Sequence, residues 1–219
     1  LPEFQVDSHS EDELERRIEI CRFVARACER RLMISTGGTV SARVSEDVFV
    51  ITPFGKDRSY LEPHDLVLID HGRAERGKRP SRGILLHRAI YRGHPEIGSI
   101  MTAQPPHATT YSIVERPFDT RTIPESYILL RDMPRIGYGI PYTHPEAVSG
   151  RLHAATPVLL LQNDSVLSTG RTLLEAFDRL EVAEFTAQAL IETVSIGELQ
   201  PITLDELTNL EITYGLRRG

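Results

Sequence analysis

The feature that most constrains this chain is a change of rhythm along it. Two long stretches, 11–31 and 172–193, carry apolar residues at helical spacing, and seven short β-prone runs broken by turns lie between them. The first stretch opens on Ser10-Glu11-Asp12-Glu13, a capping pattern, and continues with Leu14, Ile18, Cys21, Ala25, Cys28 and Leu32 as the predicted inner stripe. The second places Leu173, Ala176, Leu180, Ala183, Ala187 and Ile191 on one face. Strands are predicted at 40–43 and 48–52, as a hairpin, and at 66–70, 97–103, 127–130, 158–161 and 165–168. Shorter helices are predicted at 84–92, after Pro105-Pro106, at 146–154 behind Pro145, and at 203–210. Such runs cannot all be parallel, because turns as short as Gln162-Asn163-Asp164 join antiparallel neighbours. A mixed sheet covered by helices on both faces follows, as a single α/β domain over 1–219 with residues 1–10 flexible.

Composition narrows the partners. The net charge of −6 argues against nucleic acid or an anionic membrane. Lys and Arg gather most densely in 73–82, beside Gly and Pro, which reads as a solvated loop with room for one small anion. No apolar run has the roughly 18 residues of a membrane span. Residues 1–7 show neither the basic nor the apolar region of a secretory signal, so a cytoplasmic location is expected. Cys21 and Cys28 fall on one helix face about 10 Å apart, too far to bridge, and are read as core packing in a reducing compartment.

Eight punctuations then recur in a telling order: Ser35-Thr36-Gly37-Gly38-Thr39, Ile51-Thr52-Pro53-Phe54-Gly55, Leu61-Glu62-Pro63-His64-Asp65-Leu66, Lys78-Arg79-Pro80-Ser81, the pair His87 and Tyr91, Pro105-Pro106-His107, Leu159-Leu160-Leu161-Gln162-Asn163, and Tyr214-Gly215-Leu216. In this order they resemble the class II aldolase/adducin family, which includes sugar-phosphate aldolases and pentulose-phosphate epimerases. The likeness spans 31–216. It implies a three-layer α/β/α domain with a mixed, largely antiparallel central sheet, assembled as a homotetramer.

In that family a zinc ion bound by three imidazoles polarises a carbonyl and holds the enediolate formed on carbon–carbon cleavage. The resemblance places the family's His-x-His on Thr102-Ala103-Gln104, its Asn-His-Gly on Asn163-Asp164-Ser165, and its acid/base carboxylate on Gly83. It therefore implies no metal and no cofactor here. Hydroxyl and amide oxygens are weak zinc ligands, and only Asp164 offers a strong one. The phosphate cradle falls on Thr39, Gly55, Ser81 and Arg82, with Gln104 beside it as a further binding candidate. Arg82 brings a fork of donors suited to phosphate or carboxylate, or stands as an exposed loop cation.

The acid/base candidates are Tyr127, His107, Asp164 and Tyr214. The resemblance puts both tyrosines at the pocket, Tyr127 from across a subunit interface, while a tyrosine wedged in a sheet reads the same way. His107 is a near-neutral acid/base or a hydrogen-bonded helix-start residue; His87 reads as structural and His144 as a turn residue. Three functions stay open: a non-catalytic binding, scaffold or regulatory oligomer, as adducin's head domain resembles the aldolases; a metal-independent enzyme acting on a small anionic substrate; and an aldehyde-lyase with an aberrant metal site.

Overall fold

The computed structural model describes residues 1–216. Ser10 starts α1 (Glu11–Glu29) as its pattern predicts, its hydroxyl accepting the Glu13 N–H at 3.2 Å. The inner stripe of α1 differs from the predicted one. Glu13, Arg17, Ile20, Val24 and Ala27 are buried, whereas Leu14 and Ile18 are each 43% exposed. The reason is electrostatic. Arg17 donates to Glu13 at 2.7 Å, to Glu75 at 2.8 Å and to the Leu66 carbonyl at 2.5 Å, so a charged pair turns inward with its partners around it. Cys21 and Cys28 pack at the border of the core, half-buried and unbridged.

Among the described residues one sheet of nine strands runs through the fold. In sequence these are β1 (Glu3–Phe4), β2 (Thr39–Ser45), β3 (Val48–Ile51), β4 (Val67–Asp70), β5 (Arg73–Glu75), β6 (Ser99–Ala103), β7 (Arg135–Ile136), β8 (Val158–Leu161) and β9 (Ser165–Gly170). In space the order is β1-β5-β4-β3-β2-β6-β9-β8-β7. The two outermost pairings, β1 with β5 and β7 with β8, are parallel; the strands between them pair antiparallel. The sheet is mixed and largely antiparallel, as expected.

Alternating side chains feed two cores. Val50, Met101, Ala103, Leu160 and Val166 face α1, α3 (Pro106–Ile113) and the long α7 (Leu173–Ile196). Phe49, Ile51, Ile100, Leu161 and Leu167 face α2 (Ile84–Gly93) and α6 (Pro145–Ser149). Three layers result. On α7 the predicted stripe is buried from Leu173 to Ala187, and Ile191 ends it 37% exposed.

Several expectations change. Residues 127–130 are not a strand but the end of α4 (Pro124–Leu130), which Pro124 opens at a position where a missing N–H costs nothing. Residues 1–10, expected to be flexible, contribute β1, whose Glu3 and Phe4 pair with Ala74 and Glu75. The basic stretch 73–82 begins in β5 before it becomes a loop. The helix predicted at 146–154 stops at Ser149, preceded by the short α5 (Ile140–Thr143). The chain closes on α8 (Leu204–Thr213), capped reciprocally by Thr203 and Glu206. No helix among the described residues is long and apolar enough to cross a membrane.

Candidate functional site

Antiparallel pairing sets Thr39 of β2 beside Thr102 of β6, and β9 lies on the far side of β6. Loops leave all three strands at this end of the sheet and enclose a cleft of about 540 Å³. Gly38 enters β2 with φ +74°, and a side-chain carbon there would stand 2.8 Å from the Thr102 carbonyl. Only glycine lets these two backbones lie so close.

The turn that carries Ser81 is tied to the turn that carries Gly55. Phe54 N–H donates to Arg79 O at 2.8 Å and Ser81 N–H to Thr52 O at 3.0 Å. The Ser81 and Thr39 hydroxyls share a hydrogen bond of 2.5 Å. Arg82 points to solvent at the rim with no ion pair among the described residues, and Phe54 sits beneath the Arg79 guanidinium, 3.9 Å away. Cationic and neutral donors thus gather along one wall.

Acceptors gather on the other. Asp164, in the turn between β8 and β9, accepts the Tyr142 hydroxyl at 2.5 Å. Burial, then this bond to a carboxylate, push the Tyr142 pKa up to about 12, so the phenol stays a donor. The Gln104 carbonyl oxygen is buried without a partner among the described residues, and Thr102 spends its hydroxyl proton on the Thr39 carbonyl at 3.4 Å. Gly83 borders the cleft beside Thr39, and a side-chain carbon on it would meet the Thr39 hydroxyl at 3.0 Å.

The structure therefore brings together Thr39, Gly55, Ser81, Arg82, Gln104 and Asp164 of the sequence candidates, with Thr102 and Gly83. It does not bring in the other three. His107 starts α3 with its ring on Glu184 at 2.7 Å, and the same carboxylate accepts the His107 and Ala108 N–H groups, as a cap. Tyr127 donates to Glu211 at 2.7 Å, and Tyr214 ends α8 59% exposed. Within one chain none of these borders the cleft.

Two polar cleft residues escaped the sequence reading. Tyr142 sits in α5, where only Pro141 and the glycines around it marked a turn. Arg58 follows the Gly55 turn and is 2% exposed, although nothing in its local pattern separates it from a surface arginine. Among the described residues no three His, Cys, Asp or Glu side chains are grouped as metal ligands would be. His87, on α2, is fully buried and bonded to Ser41 at 2.7 Å, which in turn meets Tyr91 at 2.8 Å.

Known proteins share this frame. The L-fuculose phosphate aldolase of Methanocaldococcus jannaschii is 30% identical over 177 residues, covering 78% of this chain and 91% of that protein. The 3-oxo-tetronate 4-phosphate decarboxylase of Haemophilus influenzae is 29% identical, covering 84% and 90%. The crystal structure of L-fuculose-1-phosphate aldolase from Thermus thermophilus superimposes with a TM-score of 0.71 at 21% identity, covering 83% and 97%, a likeness of fold. With the class II aldolase and adducin N-terminal domain matched from residue 18 to residue 191, on a sheet and cleft of this form, the chain belongs to that family.

Proposed function

We propose that this cleft binds a small phosphate- or carboxylate-bearing molecule without zinc and without aldol cleavage, making the protein a binding or regulatory member of its family. The observation that carries this reading is the donor set at Thr102, Gln104 and Asp164. These residues do not fit zinc: a hydroxyl that donates to backbone, an amide oxygen, and one carboxylate already holding a phenol make a weak set for a borderline-soft ion. The proton carrier is missing as well, since Gly83 has no side chain and Thr39 crowds the space where one would start. What the cleft keeps is anion chemistry. Ser81, the Gly55 turn and Arg82 converge on one wall, with donors for oxygen atoms and a positive charge.

A second reading, a metal-independent enzyme, is favoured by one contact. The Tyr142 phenol bonded to Asp164 is an acid and a carboxylate in direct contact at the cleft. It would act on the same class of anionic substrate, and turnover of a small sugar phosphate by protein free of metal would favour it over the first.

The homotetramer expected from the resemblance belongs to the proposal, supported by the exposed Phe185 and Val194 on α7. So does a cytoplasmic site of action, with neither nucleic acid nor membrane as partner, consistent with the charge of −6. Light scattering that gives a monomer at micromolar concentration would remove the tetramer.

The test is twofold. Elemental analysis of the purified protein should find no stoichiometric zinc, and one zinc per chain would overturn the reading. Thermal-shift titrations with phosphate, sulfate and a small sugar phosphate should stabilise the wild type, and Arg82→Ala should weaken the response by roughly tenfold or more in affinity. No response from either protein would remove the anion site.

A further inference from the structure

Four side chains with large apolar surfaces line the cleft without being buried in it. Ile34, Phe54, Leu85 and Tyr142 are each between 39% and 59% exposed. They come from separate parts of the chain: Ile34 from the segment between α1 and β2, Phe54 from beside Gly55, Leu85 from the first turn of α2, and Tyr142 from α5. The fold gathers them around one opening.

Local structure sets each of them there. A side-chain carbon on Gly37 would stand 2.5 Å from Ile34 Cγ1, so the isoleucine lies against bare glycine backbone. The Arg79 guanidinium, 3.9 Å from the Phe54 ring centroid, holds that ring by a cation–π contact. Leu85 stands between Ile84 and Leu86, which the core buries, and the helical period leaves it on the outer side. Tyr142 spends its hydroxyl on Asp164 and so presents its ring.

Exposed apolar side chains are ordinary when scattered, but a group of them at one cleft marks a contact surface. The cleft, at about 540 Å³, lies within the roughly 300–1,000 Å³ of small-molecule sites and leaves room beyond a single anionic group. Several of its polar side chains are already committed: Thr39 to Ser81, Thr102 to the Thr39 carbonyl, Asp164 to Tyr142. A chain of hydroxyls would find few free partners here. A hydrocarbon chain would cover the four apolar groups.

We propose that Ile34, Phe54, Leu85 and Tyr142 form a tail subsite, so that the cleft takes an anionic head joined to an alkyl or aryl chain in preference to a polyhydroxylated one. The inference rests on the anion-binding reading of the cleft, with the head on the Ser81 wall. Seating the tail removes apolar surface of both partners from water. Each methylene fully covered strengthens binding by up to roughly fourfold.

The rival occupant of this surface is a second copy of the chain. Calorimetry would compare hexyl phosphate, glucose 6-phosphate and inorganic phosphate, which share a head group and differ in the tail. The proteins are the wild type, Phe54→Ser with Leu85→Ser, and Ile196→Ser, a change at an exposed apolar residue that ends α7 outside the cleft. Circular dichroism checks the folding of each and light scattering its mass. The wild type should bind hexyl phosphate on the order of tenfold or more tighter than glucose 6-phosphate. The double variant should lose most of that preference, and Ile196→Ser should keep it. Equal affinity of the wild type for the two esters, a preference that survives in the double variant, or an equal loss in Ile196→Ser overturns the tail subsite while the anion site stands. A changed mass in the double variant, with no preference in the wild type, gives the surface to a second copy and overturns it too. Should the double variant fail to fold, Ile34→Ser takes its place and is read the same way. A wild type that binds none of the three ligands overturns the anion site itself, and this inference with it.

Discussion

The Thr39 hydroxyl stands 3.0 Å from the point where Gly83 would carry its first side-chain carbon. Thr39 is held there by Ser81 at 2.5 Å, so the two positions cannot be changed independently. Gly83→Glu, which would put a carboxylate where the family resemblance places the acid/base residue, is expected to cost about 1–3 kcal/mol by overpacking. Combining it with Thr39→Ala should cost less than the sum of the two changes, a coupling that urea denaturation of the four proteins would measure. Strict additivity would show that Thr39 moves aside freely.

The three positions on which the resemblance sets the family's zinc ligands make a constructive test. Thr102→His, Gln104→His and Asp164→His together should create a zinc site with a dissociation constant on the order of micromolar or tighter, because β6 and the β8–β9 turn already bring the three positions to one cleft. Each change also removes an oxygen that the wild type uses for hydrogen bonding or leaves open. A folded triple variant that takes up no zinc would mean that the three side chains diverge.

Acid should unfold the protein through His87. Its ring is fully buried and its pKa is pushed down from 6.5 to about 3 by that burial. The unfolded chain therefore binds the proton first. Stability is complete above pH 6.5 and falls as pH drops toward about 3, by up to about 1.4 kcal/mol per unit. Denaturant midpoints measured from neutrality downward should decline less steeply for His87→Gln than for the wild type, and parallel curves would exclude His87 as the cause.

The buried ion cluster should be expensive to break. Arg17→Ala leaves Glu13 and Glu75, 3% and 8% exposed, without their guanidinium. A loss of about 3–5 kcal/mol is expected. Lys78, 2.7 Å from Glu75, softens the blow on that side, so Arg17→Ala with Glu13→Gln should recover part of the loss. A thermal melt that shifts by less than about a degree would show the cluster to be solvated.

Helix and strand placement was legible where the period was clean. Residues 158–161 and 165–168 read as strands and are strands, and Ser10 read as a cap and is one. The short run Tyr-Ile-Leu-Leu misled because four apolar residues fit either period, and Pro124, the helix-start signal, lay outside it. On α1 the apolar count favoured Leu14 and Ile18, since no local pattern reveals that Arg17 meets a carboxylate from β5. The cleft followed the same division. Ser81 and Gly55 were placed by the family resemblance of their turns, whereas Arg58 and Tyr142 are brought there by tertiary contacts alone.

The outermost strands of the sheet, β1 and β7, are each two residues long. A strand so brief offers too few free amide groups to template another chain, and Pro134 before β7 lacks one altogether. Residues 3–4 thereby act as a stopper for the longer strands behind them. Removing them would bare the outer edge of β5, Ala74 and Glu75, as the new end of the sheet.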